Sequence, residues 1–320
     1  SLRDIRVAAL FALKFISDRH VWCLDILKCV GGNATHGAIF LLLDRMHNAI
    51  ANRPEDVDVN YNMRLFDVIC NLTSVSSISD SLVSAGLIYK LTNILKVPDY
   101  HEYQTILKVS DVLKSCVKTV DNVNVFENAG GYKLLHDRLS TELEYGLATK
   151  DQFKHIKYYS EVYFTLSFRQ VCFIRSLLKH ILKVIDIDTN DKIRNFMDSN
   201  MLTTLNVLLL NRHDFGFTLI SYVLDIVQVL LNKDPTIYQV LQEAGTIDII
   251  IDNFADYLGP WTNLLLTLPQ LVSALCLNKT ALKKIKESNI IKLLFQPYRD
   301  AKLASVLIKY MESEYGENLD

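Results

Sequence analysis

Glycine and proline are scarce in this chain, which has 11 glycines and 6 prolines among its 320 residues. Together they make up about 5% of the sequence, where average usage is roughly 12%. β-Sandwiches and β-barrels need these residues at their many tight turns. The shortage therefore argues against those folds and favours helices joined by short polar connections.

Neither an excess of charge nor a disulfide framework is present. The formal net charge is −2, which gives no bulk electrostatic reason to expect nucleic-acid binding. The cysteines form no C-x-x-C pair and each stands within an apolar stretch, so we predict buried free thiols in a reducing compartment. They are Cys23, Cys29, Cys70, Cys116, Cys172 and Cys276.

A secretory leader and a membrane span are not predicted either. The chain begins at Ser1 and Leu2–Arg6 is unlike a signal peptide, so we expect a piece of a longer protein. Residues 259–278 carry no charged side chain, but Pro260 and Pro269 interrupt them and polar side chains would be left in lipid. A buried helix is the better interpretation.

Five segments of the chain repeat one pattern. A large apolar residue stands four positions before a glycine or asparagine, a small residue one position before it, and apolar residues two and five positions after it. Such a pattern is typical of a short helix that ends at a left-handed residue and is followed by an amphipathic helix. The central residues are Gly86, Gly130, Asn200, Gly245 and Asn289.

The spacings between these corners are 44, 70, 45 and 44 residues. Armadillo and HEAT repeats have periods of about 40–47 residues, so three of the four intervals fit. Apolar core helices are predicted before the corners, and loops at Asn52–Asn60 and Tyr145–Asp151. The core helices are Met63–Leu72, Ile106–Val120, Phe217–Leu231 and Leu264–Leu277.

These observations predict an all-α fold, an armadillo/HEAT-like right-handed superhelical solenoid. Residues 1–76 would form an N-terminal helical cap with the first repeats. Residues 77–320 would continue as armadillo-like repeats, with an elongated helical insertion around 150–186 in the one long interval. The whole would be one continuous solenoid.

Motifs for catalysis are missing from the sequence. No G-x-S-x-G, Walker loop or G-x-G-x-x-G pattern occurs, and no set of Cys and His has zinc-site spacing. We therefore predict no catalytic residue, no metal and no cofactor in this chain. A basic run, Lys279, Lys283, Lys284 and Lys286, is interpreted as a solvated helix face, with a docking patch for an acidic partner as the alternative.

Several stretches resemble one family, the giant HECT-type ubiquitin ligases typified by the HECT, UBA and WWE domain-containing ligase. The most specific is Leu268–Asn278, followed by Leu282 and Ile290–Phe295. The others, in the same order as in the family and within residues 126–310, are Ala129–Gly131 with Arg138, Leu139 and Glu142, then Ser176–Lys179, Arg194–Asp198 and Leu241–Gly245.

The resemblance implies an N-terminal armadillo-like arm that presents substrates to a distant C-terminal HECT domain, in a parent that is a HECT-type E3 ubiquitin-protein transferase. Implied partners are substrate proteins, the remaining solenoid and HECT segments of the same chain and, indirectly, ubiquitin-charged E2. Neither a membrane nor nucleic acid is expected as a partner, and the implied location is cytoplasmic and nuclear. None of the six cysteines has the context of the HECT nucleophile, so no catalytic residue is transferred.

Our leading hypothesis is a non-catalytic scaffold that binds substrates along one face. If the helices after the corners stack, their exposed polar positions align into a groove, for which we predict Asn93, Asp137, Asn206 and Asn253. The first alternative is a free-standing armadillo-repeat adaptor with no ligase domain. A second is a self-sufficient helical enzyme, which requires turnover by the isolated chain.

Overall fold

A computed structural model of the chain describes residues 2–29, 37–52, 57–97, 102–153, 166–259 and 261–299, together with residues 305 and 308. Within these ranges every regular element is a helix and no β-strand occurs. The predicted all-α fold is therefore confirmed. No helix among the described residues is both long and apolar enough to cross a bilayer.

The helices follow one another closely along the chain. In order they are α1 Leu2–Ser17, α2 Cys23–Cys29, α3 Ala38–Asn52, α4 Val59–Ser74, α5 Ser76–Ser84, α6 Leu87–Leu95, α7 Tyr103–Cys116, α8 Val120–Asn128, α9 Gly131–Phe153, α10 Phe168–Ile187, α11 Asn190–Phe196, α12 Leu202–Leu210, α13 Arg212–Phe215, α14 Phe217–Lys233, α15 Ile237–Glu243, α16 Thr246–Asp252, α17 Thr262–Cys276, α18 Lys279–Glu287, α19 Ile290–Leu294 and α20 Gln296–Arg299.

The chain forms two compact units. Unit 1 contains residues 1–142 and 172–187, and unit 2 contains residues 143–171 and 188–320. The predicted division after residue 76 and the continuity of residues 77–320 stay predictions. Residues 154–165 of the predicted insertion lie outside the described residues, and α10 forms its later part.

Each unit is built on stacked core helices. In unit 1, α4 packs on α1 and α7 packs on α4. The Ser110 hydroxyl of α7 lies 3.0 Å from the Ser176 hydroxyl of α10. In unit 2, α17 packs on α14. The predicted core helices are present as α4, α7, α14 and α17, although α7 ends four residues earlier than predicted because the chain turns at Val117 and starts α8 at Val120.

Three of the five predicted corners have the predicted backbone. Gly86, Gly130 and Gly245 have φ angles of 102°, 77° and 76°, in the left-handed region that only glycine adopts without strain. Each lies between a short helix and the next one, as in α5–Gly86–α6. The sequence pattern therefore located real helix ends.

The two asparagine corners differ from the prediction. Asn200 has a positive φ of 35°, but it lies inside a π-helical turn, Met197–Met201, through which α11 runs on into α12. Asn289 has an ordinary φ of −81°, so the prediction of a left-handed residue there is wrong. Ser288, with φ −90° and ψ 163°, already breaks the helix with extended backbone, and no left-handed residue is needed after it.

The loop predicted at Tyr145–Asp151 is wrong, because α9 is helical through all of it. Gly146 suggested a turn, but its role is close packing. A Cβ at Gly146 would stand 2.9 Å from Leu166 Cδ2 and 3.2 Å from Phe215 Cε1. Glycine is present here because neighbouring side chains in unit 2 occupy the space of a side chain.

A cluster of buried charge lies within unit 1. Arg138 Nη2 and Glu142 Oε1 are 3.0 Å apart, and their side chains are only 3% and 0% exposed. Arg138 Nη1 also donates to Val97 O at 2.7 Å, and Tyr103 Oη donates to Glu142 Oε2 at 2.9 Å. The guanidinium lies over the Phe173 ring, 5.3 Å from its centroid. These contacts pair two charges that would otherwise be too costly to bury.

Lysines cap the ends of core helices that lie 45 to 69 residues earlier in the chain. In unit 1, Lys118 Nζ donates to Thr73 O at 3.3 Å and Lys183 Nζ donates to Lys114 O at 2.7 Å. In unit 2, Lys233 Nζ donates to Asp188 O at 2.9 Å. The residues of these pairs are 45, 69 and 45 positions apart, close to the corner spacings. A cation at a helix C-terminus satisfies free carbonyls and complements the helix dipole.

Candidate protein-binding surface

Two of the four predicted groove residues are at the surface of unit 1. Asn93 is exposed on α6. Asp137 is exposed on α9, where its carboxylate pairs with Lys133 at 2.7 Å and contacts His136 Nδ1 at 3.0 Å. Although partial burial opposes the shift, hydrogen bonds from Lys133 and His136 lower the pKa of Asp137. Both side chains are accessible to a partner, and their role in binding stays a prediction.

The other two predicted groove residues, in unit 2, donate hydrogen bonds to backbone carbonyls. Asn206 is only 8% exposed, and its Nδ2 donates to Ala244 O at 2.9 Å, just before the Gly245 corner. The prediction of an exposed groove position is therefore wrong for Asn206, which caps the end of α15. Asn253 is half-buried and its Nδ2 donates to Ile249 O at 2.7 Å at the end of α16. Short amide side chains at these positions satisfy helix-end carbonyls.

The solvent-accessible sides of two core helices in unit 1 also carry charged side chains. In unit 1, an open groove of about 480 Å³ lies between α7 and the Cys172–Ile187 part of α10, and lysine and arginine side chains line it. Sequence reasoning missed this surface because it placed the binding face on the helices that follow each glycine. Arg175, Lys179 and Lys183, which recur every four residues on α10, were the signal that could have located it.

In unit 2, the corresponding core helices carry one acidic side chain at their contact. Asp225 Oδ1 of α14 accepts a hydrogen bond from Thr267 Oγ1 of α17 at 2.8 Å. Burial raises the pKa of Asp225, and this hydrogen bond only partly opposes the shift. Other partly accessible positions on these two helices, such as Thr218, Tyr222 and Gln270, are uncharged.

One lysine of the basic run on α18, Lys284, makes contacts within unit 2. Lys284 Nζ lies 2.7 Å from Asp248 Oδ1 and 3.0 Å from Gln242 Oε1, so α18 contacts α15 and α16 within unit 2. Lys279 and Lys286 are exposed on the same helix. The arrangement fits a solvated helix face with one structural lysine.

The cysteines differ in environment. Cys23 and Cys116 are buried as predicted, whereas Cys29 is exposed, which contradicts the prediction for that residue. Burial raises the pKa of the Cys116 thiol to about 11, so it is protonated at neutral pH and a poor nucleophile. Among the described residues no group of three or more His, Cys, Asp or Glu side chains is placed to hold a metal ion.

His180 is the one histidine of unit 1 that is fully buried within the described ranges. Its ring stacks on Phe126 with 4.9 Å between centroids, and neither ring nitrogen has a hydrogen-bond partner among the described residues. Burial, with the nearby Lys114 and Lys183, lowers the pKa of His180 to about 3. The residue is therefore a neutral packing group at physiological pH.

Comparison with known proteins gives a consistent picture. The family described as Domain of Unknown Function (DUF913) matches residues 107–320. A probable E3 ubiquitin-protein ligase TOM1 from Eremothecium gossypii is 42% identical over 99% of this chain and 10% of its own length. The E3 ubiquitin-protein ligase TOM1 of Saccharomyces cerevisiae is 39% identical over the same shares. The mouse E3 ubiquitin-protein ligase HUWE1 is 24% identical over 92% of this chain and 7% of its own length.

Proposed function

The chain belongs to the DUF913 family and corresponds over its whole length to part of much larger E3 ubiquitin-protein ligases, and from this premise we propose that it is a non-catalytic arm of a giant HECT-type ligase. The arm acts as a scaffold and presents substrate proteins to a HECT domain elsewhere in the parent. The observation that carries the proposal is the match of 99% of this chain to relatives named as ligases.

The share of each relative that this chain matches indicates how small a part of the parent the arm would be. The chain spans about a tenth of the length of the ligases that it matches most fully. Most of the parent would therefore be other solenoid segments and the catalytic domain. The relevant partners are those segments, the substrate proteins and, through the HECT domain, ubiquitin-charged E2. We propose no cofactor for this chain, and a cytoplasmic and nuclear location for the parent.

The pattern of long-range contacts supports an armadillo-like solenoid as the form of the arm. In a repeat array each repeat contacts its neighbours, so contacts should join residues about one repeat apart. Four hydrogen-bonded side-chain pairs, two within each unit, are 41 to 46 residues apart. They are Lys90–Asp44 and Lys108–Asp67 in unit 1, and Arg212–Asp256 and Thr267–Asp225 in unit 2.

Deleting this chain from the parent protein tests the scaffold role. We expect the HECT thioester with ubiquitin to form at the normal rate, because the deletion leaves the catalytic domain intact, while ubiquitination of bound substrates falls. The thioester assay is the internal control for a folded catalytic domain. Unchanged substrate ubiquitination would refute the scaffold role, and turnover by the isolated chain would refute its non-catalytic nature.

The native mass of the polypeptide tests the ligase assignment itself. An antibody raised against this chain should detect a species of several hundred kilodaltons, as expected for a protein about ten times longer. A species near 36.6 kDa would instead identify a free-standing adaptor. That result would leave the fold unchanged and remove the ligase function.

A further inference from the structure

A pocket of about 470 Å³ in unit 1 is lined by side chains of α1, α3 and the start of α4. Pockets of about 300–1,000 Å³ are of the size that holds small ligands. We call this one the arginine pocket. The side chains that define it are Arg6, Leu42, Arg45, Met46, Tyr61 and Asn62.

The two arginines of the pocket are binding groups that the fold does not use. Within the part of the chain that the structure describes, neither the Arg6 nor the Arg45 guanidinium makes a hydrogen bond or an ion pair. Both side chains are exposed, Arg6 on α1 and Arg45 on α3. Since a guanidinium can bind a carboxylate through two parallel hydrogen bonds, the pocket can receive an anion from solvent.

One acidic side chain, Asp58, also lines the pocket, but the fold uses it. Its Oδ1 accepts a hydrogen bond from Tyr61 N at 3.2 Å and so caps the N-terminus of α4. Although all of these residues lie in the described ranges, no ion pair joins Asp58 to Arg6 or Arg45. The lining therefore has two cations for one carboxylate, and that carboxylate already has a backbone donor.

The Tyr61 hydroxyl is near both cations. Burial raises the pKa of Tyr61, and the charges of Arg6 and Arg45 partly oppose the shift. Because such an effect falls off with distance, guanidinium groups from two separate helices must lie near one hydroxyl. The phenol adds an O–H donor to the same pocket.

A buried amide with an unpaired donor lines the pocket as well. Asn62 is only 3% exposed, and its Nδ2 has no hydrogen-bond partner among the described residues. Burying an amide without a hydrogen bond is unfavourable, so a bound ligand with an acceptor would relieve this position. A peptide group is the natural complement of an amide side chain, because each has both a donor and an acceptor.

Apolar side chains lie beside these donors. Leu42 and Met46 of α3, with Ala49 and Val57, line the same pocket. A matching ligand therefore carries a carboxylate and an apolar group close together. Neighbouring side chains of an extended chain point to opposite faces, so an internal glutamate and the apolar residue next to it would diverge. The last residue of a chain carries its carboxylate and its side chain on one Cα.

We propose that the arginine pocket binds the C-terminal residue of a protein chain that ends in a large apolar side chain. The terminal carboxylate pairs with Arg6 and Arg45, the apolar side chain packs on Leu42 and Met46, and the last peptide group lies beside Asn62. Capture of a C-terminal carboxylate is a recurring mode of peptide recognition.

The rest of the bound chain can leave the pocket into solvent, because Arg6 and Arg45 are exposed. The proposal rests on the proposed scaffold function in that it names the part of a bound protein that the arm would hold. Small organic acids share the same chemistry, a carboxylate on an apolar body, so the test includes one of them.

A direct binding measurement with two matched probes tests the site without ligase activity. One probe is a short fluorescein-labelled glycine–serine peptide that ends in two leucines and a free carboxylate, and the other is the same peptide with a C-terminal amide. Each is titrated with the 320-residue chain and followed by fluorescence anisotropy. The test variant is R6Q/R45Q. The matched control is K279Q/K286Q on α18, which removes the same charge at exposed lysines in unit 2.

We expect the unmodified chain to bind the carboxylate peptide at least about tenfold more tightly than the amide peptide. R6Q/R45Q should bind both peptides equally weakly, because the carboxylate has lost its partners, and K279Q/K286Q should keep the preference. Octanoate, which has no peptide group, should displace the probe at least about tenfold less well than the unlabelled carboxylate peptide. Circular dichroism and the melting temperature should be unchanged in both variants, since all four substituted side chains are exposed.

Four outcomes would overturn the proposal. Equal binding of the two peptides by the unmodified chain, or no binding, would show that it does not recognise a terminal carboxylate. A preference that R6Q/R45Q retains would place the carboxylate elsewhere, and one that K279Q/K286Q also loses would be a general charge effect. Octanoate that competes as well as the peptide would make the pocket a site for small organic acids. None of these results bears on whether deletion of the arm impairs ubiquitination, so failure of the pocket and failure of the scaffold role can be told apart.

Discussion

The two units use different chemistry to hold similar helices together. Unit 1 buries the Arg138–Glu142 ion pair and the His180 ring, and lysine and arginine side chains line the groove between α7 and α10. Both units bury large aromatic side chains, such as Phe126 in unit 1 and Phe254 in unit 2, and in unit 2 the Asp225–Thr267 hydrogen bond joins α14 and α17. The same helix–corner–helix pattern thus accommodates a buried ion pair beside an apolar core in unit 1.

The difference between the units has an energetic consequence. Burying a paired charge contributes little net stability, but removing one partner leaves the other charge desolvated and alone. Unit 1 should therefore be sensitive to single polar substitutions and to pH, whereas unit 2 should be sensitive mainly to packing. Hydrogen–deuterium exchange resolved by peptide can measure this, because it reports the opening of each unit separately.

The largest effect is expected for Glu142→Ala in unit 1. The substitution leaves the Arg138 guanidinium, 3% exposed, without its carboxylate and removes the acceptor of Tyr103 Oη. We expect the free energy of unfolding of unit 1 to fall by about 3–5 kcal/mol. Faster hydrogen exchange in peptides of α7, α9 and α10 would show this loss. The control is Asp248→Ala, which removes the half-exposed partner of the half-exposed Lys284 in unit 2 and should cost less than about 1 kcal/mol. Equal losses for the two variants would contradict the comparison.

The contacts of the buried Arg138–Glu142 pair could be predicted from the sequence only in part. The glycine corners could be predicted because glycine alone tolerates their φ angles, which leaves a periodic signal in the chain. The core helices could be predicted because their apolar residues recur at helical spacing. Glu142 follows Arg138 by four residues on α9, a spacing that the sequence shows. Val97, whose carbonyl accepts from Arg138, and Tyr103, which donates to Glu142, lie on other segments, and only the fold reveals that they meet this pair.

The roles of the polar residues at the predicted groove could not be predicted from the sequence either. Asn93 and Asn206 look alike in sequence, yet one is exposed and the other caps Ala244 O. Gly146 carries the signal of a turn, but in the fold it provides space beside Leu166 and Phe215. In each case the role of the residue depends on which side chain or carbonyl a distant segment places beside it, and a local sequence pattern does not contain that information.

The second prediction concerns acid pH and unit 1. His180 has its pKa lowered to about 3, against 6.5 in the unfolded chain, so between these values the unfolded state binds one more proton. The neutral His180 side chain makes its full contribution to the stability of unit 1 above pH 6.5. This contribution is lost as the pH falls, with a slope of about 1.4 kcal/mol per pH unit. His180→Phe keeps the stack on Phe126 and should remove this slope.

Urea unfolding or hydrogen exchange at a series of pH values measures the slope for the two proteins. His136, which contacts Asp137 on the surface of α9, supplies a control, since His136→Phe should leave the acid slope of unit 1 in place. A His180→Phe protein with the same acid sensitivity as the unmodified chain would show that other groups cause it.

The third prediction concerns the corners, where the two units should behave alike. A Cβ at Gly86 in unit 1 or at Gly245 in unit 2 would meet no atom within 4 Å, so alanine causes only backbone strain. We expect Gly86→Ala and Gly245→Ala each to cost about 1–2 kcal/mol, as measured by local exchange. Asn289→Ala is the control and should cost little, because φ there is −81°. A large difference between the two glycine variants would mean that the corners are not equivalent.

The smallest effect is expected for Asp225→Asn in unit 2, and its sign is opposite to that of His180. Burial raises the pKa of Asp225, so the folded state binds the extra proton and stability falls as the pH rises from 3.8 through the pKa of the folded state. The asparagine keeps an acceptor for Thr267 Oγ1 and removes the buried charge. We expect Asp225→Asn to raise the free energy of unfolding by about 0.5 kcal/mol at neutral pH and to leave it unchanged in acid. Exchange in α14 and α17 peptides, compared at the two pH values, measures it. Loss of stability at neutral pH would instead show that the Asp225 charge itself holds these helices together.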